Sequence, residues 1–205
     1  MLVSHKYKFI FIKTHKTAGS SLEAYLLPFC KEDGIIDTRK FQSHRPAYSA
    51  KEMVGEAVWN SYTKICPVRN PWDKMVSLYF WRTRKRPFYY HLLRLIRGKH
   101  PRPLEQRVSF EELIIRKKQR NNLDKRIMFI SEDWEDYFFI RYEHLHEDLE
   151  LLCQNIGIPY DPNKLPQKKV GYRDGKDYRK YYNETTRKIV ADAFKEEIEK
   201  FDYSF

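Results

Sequence analysis

The chain has 205 residues, a formal charge of +11, and 41% hydrophobic and 16% aromatic side chains. That length and apolar content support one α/β domain with a real core and exclude a disordered chain. A pI near 9.4 favours anionic partners, among them a nucleotide, an acidic polysaccharide, nucleic acid or an anionic membrane, and does not choose among them. Cys30, Cys66 and Cys153 are far apart and make neither a Cys-x-x-Cys pair nor a zinc spacing, so free thiols in a reducing compartment are expected. Lys6 and Lys8 interrupt the N-terminus before any long apolar run, unlike a signal peptide. No stretch approaches the ~20 apolar residues of a membrane helix.

In chain order, residues 7–13 read as a strand that turns fully apolar before a tight turn. The turn is Thr14-His15-Lys16-Thr17-Ala18-Gly19-Ser20-Ser21, and a helix follows from about Ser20 to Phe29. Ser49, with Glu52 three residues on, reads as a capping box opening a second helix. Residues 62–68 form the next strand, then Val68-Arg69-Asn70-Pro71 starts a helix over Trp72–Trp81. From Arg82 to Leu104 there is no acidic residue and eight basic ones: Arg82, Arg84, Lys85, Arg86, Arg94, Arg97, Lys99 and Arg102. Phe88, Tyr89, Tyr90, Leu92, Leu93, Leu95 and Ile96 interleave with them. That pattern suits an acceptor-binding lobe for an anionic substrate, a single-stranded nucleic-acid surface, or an amphipathic helix with a solvated basic face. Ser109 and Glu112 make another capping box, for a helix to about Lys118. Tyr137–Tyr142 reads as a strand, and His146–Ile156 as a helix ended by Gly157 and Pro159. Arg173, Lys176 and Arg179 lie in a basic loop, and Asn183 caps a long final helix through about Phe201. Strands alternating with helices predict a parallel sheet with crossover helices and ligands at the carboxyl ends of the strands.

Two segments share one logic. Phe9–Lys13 into the 14–21 turn, and Lys64–Val68 into Arg69-Asn70-Pro71, each read as apolar strand, tight turn and helix start. That aims backbone N–H groups and the positive end of a helix dipole at an anion. The first turn is not a Walker A loop, because Lys16 precedes its single glycine, Gly19, and no early glycine exists. Gly19 permits close backbone approach, and Ser20 or Ser21 can cap the helix or bind an oxyanion.

Lys-Thr-Ala-Gly-Ser-Ser after one strand, and Val-Arg-Asn-Pro followed by Ser77 after another, resemble the two cofactor loops of sulfotransferases. The likeness is greatest to the carbohydrate sulfotransferases, including the heparan 2-O-sulfotransferase-like group and its small bacterial relatives. It extends to Phe139-Ile140-Arg141-Tyr142-Glu143, to Tyr181-Tyr182-Asn183 and to Glu199–Phe205. His15 departs from the proline usual in the family. The resemblance implies a P-loop-like three-layer α/β fold, one domain over 1–205, and a basic helical acceptor-binding insertion around 82–125. It implies the sulfuryl donor 3′-phosphoadenosine 5′-phosphosulfate (PAPS), 3′-phosphoadenosine 5′-phosphate as product, and a hydroxyl acceptor, expected to be a carbohydrate. Many animal relatives carry a membrane anchor; none is legible here, which points to a soluble cytoplasmic enzyme.

The resemblance places the 5′-phosphosulfate on Lys16, Thr17, Ala18, Gly19, Ser20 and Ser21, with Lys13 facing either it or solvent. Lys16 would stabilise charge on the leaving oxygen. Arg69 and Ser77 would hold the 3′-phosphate, with Arg173 or Lys176 closing over the nucleotide. His44 is the candidate base that takes the acceptor proton, with His15 as its rival. Glu23, a turn into the first helix, either orients a base or sits on the helix surface. Arg141 and Glu143 are expected to pair structurally, and no metal is expected. Two alternatives stay open: a P-loop-type nucleotide kinase, weakened by the missing Gly-Lys-Ser/Thr order, and a non-enzymatic nucleic-acid-binding protein. The second would explain the charge and the 82–104 stretch, and would leave the paired loops unexplained.

Overall fold

The computed structural model describes residues 1–32, 34–36, 46–84, 88–96, 98, 108–123, 134–168 and 170–205. The chain divides into two compact units, Met1–Asn70 with Asp124–Lys169, and Pro71–Leu123 with Val170–Phe205.

The first unit holds a four-stranded sheet in the order β1 (Leu2–Ser4), β2 (Phe9–Phe11), β3 (Thr63–Val68), β4 (Tyr137–Arg141). β2, β3 and β4 are parallel, with Phe9 opposite Thr63 and Lys64 opposite Tyr137. β1 runs antiparallel along the edge, pairing Leu2 with Phe11. The sheet is therefore mixed rather than wholly parallel. Its helices are α1 (Gly19–Leu26), α2 (Ala47–Val54) and α3 (Glu56–Ser61). A further helix lies beyond β4, after the second unit's segment. In α1, Leu22, Tyr25 and Leu26 recur at helical spacing and pack with Phe9, Phe11, Ile65 and Ile140 of the sheet. Leu149, Leu152 and Cys153 present the same spacing in the helix over Leu145–Ile156, in the same core. That helix stops at Gly157, whose left-handed φ of 71° makes the C-cap.

The second unit is helical: α4 (Pro71–Thr83), α5 (Phe88–Ile96) and α6 (Phe110–Gln119). In chain order the Leu145–Ile156 helix of the first unit is α7, and α8 (Glu184–Ala193) and α9 (Lys195–Phe201) complete the second unit. Its core joins Trp72, Met75 and Val76 of α4 to Phe110 and Ile114 of α6 and to Ile189 and Val190 of α8. Both caps expected in this unit are present. Ser109 accepts from the Glu112 N–H, with the Glu112 carboxylate returning to the Ser109 N–H. Asn183 makes the same reciprocal pair with Thr186.

Three expectations are corrected. Ser49 does not cap a helix: α2 already begins at Ala47 behind Pro46, where proline's fixed φ suits a helix entry. The first helix stops at Leu26 and continues as a 3-10 turn over Leu27–Cys30, with Pro28 inside it. The long final helix is two, broken at Phe194, whose non-helical backbone goes with a side chain sunk in the core.

Candidate functional site

The turn after β2 is built by local bonds to the neighbouring strand. The Ile12 N–H donates to the Ile65 carbonyl (2.8 Å), and the Thr14 hydroxyl donates to the Pro67 carbonyl. The Thr14 and Thr17 hydroxyl oxygens lie 2.8 Å apart. A hydroxyl has one proton. Thr14 gives its own to Pro67, so the Thr17 hydroxyl donates to Thr14. Thr17 is 1% exposed, and its side chain thus closes the turn from inside. Thr14 is absent from the sequence-derived set, yet it fixes the turn to β3.

Lys16 (φ 62°) and Ala18 (φ 59°) both adopt the left-handed conformation. Such a conformation costs a residue other than glycine on the order of 1–3 kcal/mol and collects at ligand clamps. Alternation of left-handed residues with others turns successive N–H groups inward, the concave arrangement that binds anions. Ala18 is the N-cap of α1 and no side chain caps that helix. Of the two serines expected to cap or bind, Ser21 accepts instead from the Lys168 N–H (3.1 Å) and is buried. Ser20 is half-buried.

Gly19 is not among the positive-φ residues. Its requirement is steric: a Cβ there would lie 2.9 Å from Lys13 Cγ and 3.3 Å from the Thr14 carbonyl. The stem of Lys13 runs across the start of α1 and its ammonium meets Glu23 Oε2 at 2.6 Å. Lys13 is 7% exposed, so the solvent-facing alternative falls away. The Glu23 surface reading falls away too, and its second oxygen, Oε1, is buried without a hydrogen-bond partner.

Arg69 follows β3. Its Nη1 donates to the Lys16 carbonyl (3.1 Å), and its guanidinium lies 3.7 Å from the centre of the Tyr142 ring. It is 8% exposed. The cation therefore reaches the first turn directly and clamps its left-handed residue. Tyr142 was not singled out from the sequence; its signal is its place in the Phe139–Glu143 segment that bears the family likeness. The Glu143 carboxylate accepts from the Asn70 N–H (2.8 Å), whereas Arg141 forms a two-pronged pair with Asp148 (2.9 and 2.7 Å). Each of the two residues thus makes a contact of its own on either side of Tyr142.

In the second unit, Ser77 lies half-buried on α4. Arg173 Nη1 donates to Asp73 (2.6 Å) and Nη2 to the Lys176 carbonyl (2.7 Å), while its Nε is buried without a hydrogen-bond partner. The Lys176 side chain is exposed, 3.5 Å from Asp174. His15 is half-buried in the first turn. His44 lies outside the described residues.

Left-handed residues ahead of an uncapped helix start, with a buried arginine at the carboxyl ends of parallel strands, suit an anion and stand on an α/β fold of the P-loop-like kind. The model of the sulfotransferase family matches residues 1–204. The chain belongs to that family, and its activity is the transfer of a sulfuryl group to a hydroxyl-bearing acceptor. No curated protein matches it.

Proposed function

We propose that the chain transfers the sulfuryl group of PAPS to a hydroxyl of a carbohydrate, by in-line displacement. The observation that carries this reading is the first turn: left-handed Lys16 and Ala18 ahead of an uncapped α1, clamped by Arg69. The donor set is anion-binding throughout, with backbone N–H groups, an ammonium and a guanidinium, and suits a phosphosulfate. PAPS, when bound, supplies an activated sulfuryl group.

The chain's own residues divide the remaining work. The N–H groups of residues 17–20 receive the anion. Lys16 neutralises charge as it grows on the leaving oxygen, where a fixed cation is worth more than in water. Lys13 is neutralised by Glu23, and its stem packs against Gly19 at the start of α1. Arg69 serves the 3′-phosphate while holding the Lys16 carbonyl in place. The resemblance adds Ser77 to that phosphate and Arg173 or Lys176 to the nucleotide; the partnerless Nε of Arg173 leaves it a donor to give. His44 takes the acceptor proton, with His15 the rival. The carbohydrate acceptor rests on the sequence likeness to carbohydrate sulfotransferases.

The test is thermal stabilisation by 3′-phosphoadenosine 5′-phosphate, set beside ATP with Mg²⁺ and a single-stranded oligonucleotide, followed by transfer of labelled sulfate from PAPS to a glycan panel. The expected result is stabilisation by the bisphosphate, undiminished by EDTA, and label on sugar hydroxyls. Stabilisation by ATP–Mg²⁺ alone overturns the donor, and label on non-sugar hydroxyls alone overturns the acceptor.

A further inference from the structure

The second unit displays an exposed apolar surface on α5, apart from the turn and the arginines described above. In α5, Tyr89, Leu92, Leu93 and Ile96 stand at positions i, i+3, i+4 and i+7, which is one face of a helix. In a core helix that face would be covered. Here Tyr89 is 63% exposed, Leu92 48%, Leu93 44% and Ile96 72%, with Leu95 beside them at 56%. A contiguous exposed apolar stripe marks a surface that something covers. α5 has nine residues, about 13 Å of helix, and no described helix is long and apolar enough to cross a membrane. A helix of this length is too short to cross a bilayer.

Charge selects the occupant. The segment from Arg82 to Leu104 carries eight lysines and arginines and no acid, within a chain of formal charge +11. A second copy packed stripe to stripe would bring two such segments together, at a like-charge cost. Nucleic acid would answer the charge but offers stacking surfaces, which favour aromatic rings over Leu92, Leu93, Leu95 and Ile96. An anionic bilayer answers both, with acyl chains for the aliphatic stripe and phosphate headgroups for the basic flanks. We propose that α5 docks the protein in the plane of an anionic lipid surface, independently of the assignment of the nucleotide site.

The test uses the full chain and vesicles of phosphatidylcholine with or without phosphatidylglycerol, read by co-sedimentation. Binding is expected to the mixed vesicles, with at least about tenfold preference over phosphatidylcholine alone, and to weaken as salt rises. The double variant Leu92→Glu/Ile96→Glu alters two exposed positions, so melting temperature and stabilisation by 3′-phosphoadenosine 5′-phosphate should hold. Its vesicle binding should fall by about tenfold or more, since each lost aliphatic contact is worth roughly that factor. A second pair, Leu92→Ser/Ile96→Ser, removes the apolar contacts without adding charge and should also lose binding. Equal binding to both vesicle types, or unchanged binding in both variants, overturns the proposal. So does a concentration-dependent dimer in sedimentation velocity that the variants dissolve, which would make a second copy the occupant.

Discussion

Arg69 is the residue whose removal tests most of the site at once. Two of its contacts set the magnitude. Its charged donor to the Lys16 carbonyl at 3.1 Å is worth about 1.5–3 kcal/mol. Its stacking on the half-exposed Tyr142 ring at 3.7 Å adds about 0.5–1 kcal/mol. Arg69→Ala should therefore cost roughly 2–4 kcal/mol of stability. Arg69→Lys keeps the charge and loses the planar fork and its stacking, so it should recover only part. A double-mutant cycle with Tyr142→Leu should isolate a coupling of about 0.5–1 kcal/mol. Urea unfolding of the wild type, Arg69→Lys and the three variants of the cycle measures these quantities. Titration calorimetry then gives the functional half. Arg69→Ala should weaken 3′-phosphoadenosine 5′-phosphate by about ten- to hundredfold. Adenosine 5′-phosphosulfate, which lacks the 3′-phosphate, should lose much less, by only what the loosened Lys16 turn contributes. If Arg69→Ala unfolds at the wild-type urea midpoint, the clamp on Lys16 is not a stabilising contact. If the variant still prefers the bisphosphate as strongly as wild type, Arg69 does not read the 3′-phosphate.

Lys16→Ala and His44→Ala should fail differently: the first collapses turnover with a modest loss of nucleotide affinity, and the second leaves affinity intact while lowering turnover by about 10²–10⁴. Near-normal turnover in His44→Ala would move the base to His15. Gly19→Ala sets a clash with Lys13 Cγ and the Thr14 carbonyl, costing about 1–3 kcal/mol, against a helix-propensity gain of at most about 1 kcal/mol. Net destabilisation is expected in thermal melts, and a stabilised variant would contradict the steric reading of this glycine. On the alkaline side, burial pushes the Tyr25 hydroxyl up from 10.0 to about 12, so the folded state holds that proton more tightly than the unfolded chain. Its contribution is complete below pH 10 and is lost as pH rises from 10.0 to about 12. Tyr25→Phe should flatten the fall in urea midpoint over that window; an unchanged slope would assign the fall to other groups, Tyr181 first, whose hydroxyl is likewise raised to about 12.

Local signals in the sequence carried well into the structure. Strand β3 running into Pro71, the Ser109 and Asn183 caps and the Gly157 stop are each decided by residues within one turn of chain, and all are found. β1 was not foreseen because a three-residue strand is specified by its partner β2, not by its own pattern. The break at Phe194 follows from burial in the α8 core, with no glycine or proline to announce it. Within the site, the basic turn was legible from Lys16 and its flanking strand. Its shape was not: the left-handed residues are Lys16 and Ala18, which no propensity favours there, whereas the glycine that suggested freedom serves Lys13. The Lys13–Glu23 pair likewise joins two residues whose solvent-facing readings were reasonable one at a time. Only the path of the Lys13 stem over Gly19 brings them together.

The bonds from Ile12 to Ile65 and from Thr14 to Pro67 have a kinetic consequence. They fasten the turn to β3 by contacts made wholly within the protein, so its strained residues hold their shape before any ligand arrives. An incoming phosphate need not wait for the turn to reorganise, and little of its binding energy is spent ordering residues 12–18. Association at this turn should then be a single encounter step, its observed rate rising linearly with nucleotide concentration rather than levelling off at the speed of a rearrangement.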